Sequence, residues 1–482
     1  MLFNSLQFVF FFPAVVCGFF LLPQRFRWAL LLAASYYFYM CWRAEYLLLI
    51  VASTLIDYVA GLKMGAHETR AGRRPWLILS LTCNLGLLFA FKYWNFFNDS
   101  ARYLFDQFNL FYDVPAFQLL LPVGISFYTF QTLSYSIDVY RGHRDPERHL
   151  GIFALYVSFF PQLVAGPIER STTLIPQLRA AQSWDWLRIR EGLTQMLMGF
   201  FKKLVIADRL SLYVDEVYAN SEAYHGVPMW TATWFFAIQV YCDFSGYSDI
   251  AIGGARVMGY DLMTNFKRPY LAQSFKAFWE RWHISLTTWF RDYVYFPMGG
   301  SKLGRTRTYV NMLILFTLCG LWHGARWNCV LWGTVNGVYL VMGQLTVGIQ
   351  DKLARLVGLH KLPPLRKVLN ILITFNLFTL SLMIWRSTTI PNTIFNLRQA
   401  FSPGDDWGRL TSPMNPYELG IALLGLGALL LYEIAQELKD SELIRELNAR
   451  SAWIRWPVYY SLLFSVLIFG IFEHKEFVYF QF

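Results

Sequence analysis

Two histidines stand forty positions apart in stretches that are otherwise aromatic and apolar, His283 in FWERWHISLTTWF and His323 in GLWHGARWN. If a helix begins after Arg307, sixteen residues at about 1.5 Å rise carry His323 about 24 Å along it, still inside a hydrocarbon core of about 30 Å. An imidazole at that depth is costly unless it faces a cavity or a partner. A neutral imidazole can take a proton from a hydroxyl, which is the work of a general base. The structural alternative is a histidine that bridges two helices by hydrogen bonds. Gly320 and Gly324 leave room for a second backbone or a thin substrate arm beside the ring, and Trp322 and Trp327 offer apolar walls.

His283 belongs to SFKAFWERWHISLTTWFRDYVYFPMGG, residues 274 to 300. Phe275, Phe278, Trp279, Trp282, Leu286, Trp289, Phe290 and Tyr293 recur at helical spacing, with Lys276, Glu280, His283, Thr287 and Arg291 on another face. The spacing predicts one amphipathic helix ended by Pro297 and Gly299-Gly300, its polar face turned either to the membrane surface or to a water-filled cavity. Asp243 and Asp249, in YCDFSGYSDIAIGG, are placed to orient a histidine, to pair with Arg256, or to cap backbone around Gly246. Lys202, Lys203, Asp208 and Arg209, in GFFKKLVIADR, either snorkel to the cytoplasmic surface or bind an anionic cofactor.

The elements that must position these groups are membrane helices. The chain has 482 residues, 55% hydrophobic and 18% aromatic, with only 15% charged, which excludes an ordinary soluble domain. Runs such as Phe8 to Leu22, Trp28 to Trp42, Tyr46 to Leu62, Trp76 to Phe91, Tyr309 to Trp322, Val368 to Trp385, Leu419 to Tyr432 and Val458 to Phe472 approach the about 20 residues of a span. The first is expected to be retained, because no basic region or small-residue cleavage site marks a signal peptide. About eleven or twelve crossings are expected, with 151 to 175 and 272 to 305 re-entrant or interfacial. Prolines and glycines in LPVGISFYTFQTLSYSIDVYRG and FFPQLVAGPIER imply broken helices packed within protein or around a chamber.

The net charge of +10 comes chiefly from loops assigned to the cytoplasm: roughly thirty of the 42 basic residues fall there when the N-terminus lies outside. The 215 to 228 and 386 to 416 segments then lie on the outer face. The six cysteines lack CxxC spacing and read as packing residues rather than disulfide or zinc ligands. No internal repeat interrupts the chain, so residues 1 to 482 are read as a single all-α integral membrane domain, a polytopic helical bundle with its motif-bearing core at about 115 to 350.

In order along the chain, LPVGISFYTFQTLSYSIDVYRG, FFPQLVAGPIER, YCDFSGYSDIAIG, NFKRPY, FWERWHISLTTWFRDYVYFPMGG and GLWHGARWN resemble the membrane-bound O-acyltransferase (MBOAT) family, and within it the bacterial branch that O-acetylates alginate. The resemblance is strong over about residues 1 to 350 and rests on hydrophobic layout beyond. It implies a bundle around a central tunnel, with the histidine of the WHG motif at His323 and the second histidine of the family at His283. It also implies acetyl-CoA as donor, no metal, residence in the bacterial inner membrane, and transfer to an exopolysaccharide such as alginate through a periplasmic partner of the SGNH esterase type. Nucleic acid is not expected as a partner. Two other readings stay open: D-alanyl or other acyl transfer to a cell-wall polymer, and a proton-coupled transporter or flippase using His323 and His283 as a relay.

Overall fold

Each hydrophobic run named above falls on a helix, and the computed structural model, which describes residues 1 to 117, 120 to 402, 406 to 472 and 477 to 478, contains no strand among them. An all-helical chain follows from the solvent, because a helix satisfies its backbone internally where no water can. Five helices among the described residues are long and apolar enough to cross a membrane: Ala44–Gly65, Arg70–Gln107, Pro363–Arg386, Pro416–Lys439 and Ala452–Phe469. Trp327–Leu345 and Val347–Leu356, bent by 60°, make a sixth if taken together. The protein is thus a multi-pass membrane protein. The larger number of crossings expected from the sequence depends on helices that are short, such as Leu6–Leu21, or mixed with polar residues, such as Ile125–Arg141 and Arg305–His323.

Contacts divide the chain into two compact units, residues 1 to 193 with 250 to 263, and residues 194 to 249 with 264 to 482. In the first unit, Leu47–Gly65, Arg70–Leu88 and Ile125–Arg141 each present polar side chains four residues apart, which places them on one helical face: Ser53 and Asp57, Ser80 and Asn84, Thr132 and Ser136. Those faces meet. The carboxylate of Asp57 accepts hydrogen bonds from Ser80 Oγ, from Ser136 Oγ at 2.9 Å and from Asn84 Nδ2 at 2.8 Å, while Ser53 Oγ donates to Asn84 Oδ1 at 2.6 Å. The expected helix breaks are present here. Left-handed Gly124 and Gly142 bound Ile125–Arg141, and a Cβ on Gly124 would lie 2.8 Å from the Leu163 carbonyl oxygen, so this turn needs glycine twice over. The non-helical 159 to 170 stretch is almost wholly buried, as broken backbone in a membrane protein must be.

In the second unit, Arg305–His323 and Trp327–Leu345 form a tight antiparallel pair. A Cβ on Gly320 would sit 2.3 Å from the Cys329 carbonyl oxygen, and one on Gly333 2.3 Å from that of Phe316. The small residues therefore let two backbones touch, as small residues do at membrane helix interfaces. They leave no opening for a substrate arm at Gly320. Around this pair lies a core of large aromatic side chains, among them Phe278, Trp279, Trp282, Trp332 and Phe378.

Candidate active site

The single amphipathic helix expected over residues 274 to 300 is broken. Phe275–Trp279 ends after five residues, and a second helix, Ile284–Phe290, begins at His283, whose backbone is left-handed with φ 44° and ψ 54°. A left-handed histidine costs about 1–2 kcal/mol, a strain characteristic of functional sites. Asn265 holds the break in place: its carbonyl accepts from the Ile284 N–H at 2.9 Å and its Oδ1 from the Ser285 N–H at 3.3 Å. The Asn265 amide in turn donates to Ser248 Oγ at 3.2 Å, and Asn265 is fully buried. The consequence is a change of face. Instead of extending a wetted stripe, His283 is 1% exposed and packs edge-on against Phe244, ring centroids 4.6 Å apart.

His323 is the last residue of Arg305–His323, where the extended Gly324 stops the helix. It too is buried, and its ring centre lies 6.2 Å from that of His283. The structure thus brings together two imidazoles that the sequence separates by forty residues. Trp322 packs beside both, 6.1 Å from His283 and 5.0 Å from His323. Trp327, expected as the other wall, is 55% exposed. The helix restarts at Trp327, and five residues at about 100° each turn Trp332 to the other side, so the wall is Trp332, perpendicular to His323 at 5.2 Å.

The acidic and basic residues singled out in sequence are engaged in ion pairs of their own. Lys203 pairs with Asp208 at 2.9 Å and with Asp243, whose other oxygen accepts from the Val478 N–H at 2.8 Å. Lys202 pairs with Asp249 at 2.8 Å, and Gln195 donates to the same carboxylate at 3.2 Å. Neither lysine snorkels. Arg256 lies beside Asp261 at 3.8 Å rather than against Asp243 or Asp249. These charges serve packing: Lys202 and Lys203 sit in a π-helical turn, Phe201–Ala207, that points both inward. No group of three or more His, Cys, Asp or Glu side chains suited to a metal ion occurs among the described residues.

One groove of about 1230 Å³ opens in the second unit, lined by residues that the charge pattern assigns to the outer face, among them Asp215, Asn220, Arg386, Thr388, Asn392 and Asn396. One of its lining residues, Ser387, is tied to the histidine turn. Asn328, the last residue of GLWHGARWN, donates to the carbonyls of Ile384 at 3.2 Å and Ser387 at 3.0 Å and to Thr393 Oγ1 at 3.2 Å. An aromatic wall runs the same way, from His323 to Trp332 and on to Trp385, 6.1 Å from Trp332 and next in sequence to Arg386 at the groove. Sequence reasoning missed Asn265 as the clamp of His283 and Trp332 as the neighbour of His323. NFKRPY marked the first, but only as a motif.

Residues 149 to 385 match the model of the membrane-bound O-acyltransferase family, and the chain belongs to that family. Among curated proteins it is 40% identical over 394 residues to a probable alginate O-acetylase of Pseudomonas aeruginosa, covering 81% of this chain and 73% of the relative. It is 32% identical over 428 residues to a peptidoglycan O-acetyltransferase of Helicobacter pylori, covering 82% and 78%. A teichoic acid D-alanyltransferase of Streptococcus thermophilus is 29% identical over 285 residues, 55% of this chain and 68% of the relative. The protein is therefore an enzyme that transfers acyl groups.

Proposed function

We propose that the protein is an O-acetyltransferase of the bacterial inner membrane that takes an acetyl group from cytoplasmic acetyl-CoA and delivers it at the outer face for O-acetylation of an exopolysaccharide such as alginate. His323 is the general base. It removes the proton of an acceptor hydroxyl as that oxygen attacks the thioester carbonyl; the C–S bond breaks and the proton passes from the imidazolium to the departing thiolate. His283 positions a substrate or stabilises charge on the carbonyl oxygen. The observation that carries this reading is the meeting of the two imidazoles at 6.2 Å in a buried aromatic box, a base and a second polar group with water kept out. The alginate and peptidoglycan O-acetyltransferase relatives support acetyl over D-alanyl transfer, since each covers far more of this chain than does the D-alanyltransferase.

The acceptor is a serine of a periplasmic SGNH-type partner that passes the acetyl group to the polymer. The groove beside Arg386 and Asn392, linked through Asn328 to the histidine turn, supports an acceptor arriving from the outer face. Residues 1 to 482 act in this reading as a single domain. Sealed inverted membrane vesicles test it, because their outside is the cytoplasmic face. With labelled acetyl-CoA outside and the partner inside, label in luminal ester that depends on this protein supports the proposal. A proton-gradient-driven flux that persists without acetyl-CoA contradicts it and supports a transporter.

A further inference from the structure

Burying an indole N–H without an acceptor costs about 1–3 kcal/mol, and native proteins leave few such groups. One stands beside His323, and a second packs against that one. Trp332, 4% exposed, and Trp279, 6% exposed, have Nε1–H groups that are shielded from solvent and donate to no acceptor among the described residues. The rings are neighbours, centroids 6.1 Å apart, and Trp332 meets the His323 imidazole at right angles at 5.2 Å. Packing alone explains the rings and not the N–H groups, because phenylalanine supplies an apolar ring with no donor to bury. Phe316 and Phe378 already do so against Trp279.

From this the geometry points to the Trp332 indole N–H, seconded by that of Trp279, as the hydrogen-bond donor to the carbonyl oxygen of the acyl thioester as it becomes an oxyanion. The inference rests on His323 acting as base. The two rings are in edge contact, centroids 5.2 Å apart, so a thioester seated along their shared rim would have the base and the indole N–H as immediate neighbours. In the transition state the acceptor oxygen bonds to the carbonyl carbon, the carbonyl π electrons move to oxygen, and the fixed N–H meets that charge. On collapse the C–S bond breaks and the hydrogen bond relaxes. A donor left unspent in the resting protein is set aside for charge that exists only during transfer, where it lowers the barrier without tightening ground-state binding.

Trp332→Phe keeps the ring and deletes the donor. In purified protein assayed for acetyl transfer from acetyl-CoA, it is expected to lower kcat about 10²-fold with KM for acetyl-CoA unchanged, and Trp279→Phe less. Its melting temperature in detergent is expected to equal or exceed that of the wild type, because a buried unsatisfied donor has gone. A structural tryptophan gives the opposite pattern: a lowered melting temperature with kcat intact per folded molecule. His323→Ala in the same assay separates the layers. If it still transfers, the base assignment falls and takes this inference with it; if it is inactive while Trp332→Phe keeps a wild-type kcat, the donor role alone is overturned.

Discussion

Both units bury polar side chains among apolar helices, and they use them in opposite ways. Around Asp57, three helices contribute hydroxyl, amide and carboxylate groups that spend their hydrogen bonds on one another, Ser80, Asn84 and Ser136 all donating to one carboxylate. Around His323, the N–H groups of Trp332 and Trp279 find no acceptor among the described residues, and His283 is held in a strained backbone conformation by a dedicated asparagine. Burial is common to the two regions and so says little about function. What separates them is whether the polar capacity is spent: a closed knot fastens helices, while capacity held back is available to a substrate. The Lys203, Asp208 and Asp243 cluster belongs with the knot.

Substitutions can break this contrast. The largest effect is expected from Asp57→Ala, which leaves three buried donors without their acceptor at roughly 1–3 kcal/mol each. Melting temperature and yield should fall together, while acetyl transfer per folded molecule, measured on the monodisperse fraction, stays at wild type. Next comes His283→Ala, for which transfer per folded molecule should drop about 10²-fold, equivalent to about 2.7 kcal/mol of barrier; the melting temperature should fall as well, because alanine keeps the left-handed strain and leaves a cavity in the aromatic core. Asn265→Ala joins the two behaviours. Loss of the acceptor for the Ser285 N–H should cost about 1 kcal/mol of stability, and the freed His283 turn should cost about tenfold in turnover, both read from one preparation by thermal melt and assay. Smallest is Asn392→Ala in the groove, expected to raise KM for the acceptor a few-fold with kcat and KM for acetyl-CoA unchanged.

Much of this was legible in the sequence. The membrane class and the helical fold follow from the long apolar runs, and His323 stood out because an imidazole is costly at that depth, while His283 read as part of the polar face of an amphipathic helix. The break at His283 was not legible. Periodicity runs unbroken through residues 275 to 293, and what breaks the helix is Asn265, a partner eighteen residues upstream that no local pattern reveals. Trp332 escaped for a related reason. Which tryptophan faces His323 depends on where the helix restarts, and that point, Trp327, is fixed by the turn at Gly324 rather than by residue type. Nothing in the sequence marks Asp57, because its partners come from two other helices.

The central claim is that the buried His323 imidazole performs the transfer. Its most direct test is the O-acetyl ester content of the secreted polysaccharide, by proton NMR, in cells carrying the wild type or His323→Ala at matched membrane levels. Ester lost from an unchanged yield of polymer is the predicted result, and it also identifies the polymer. Ester retained at the wild-type level would contradict the account and return His323 to a bridge between helices.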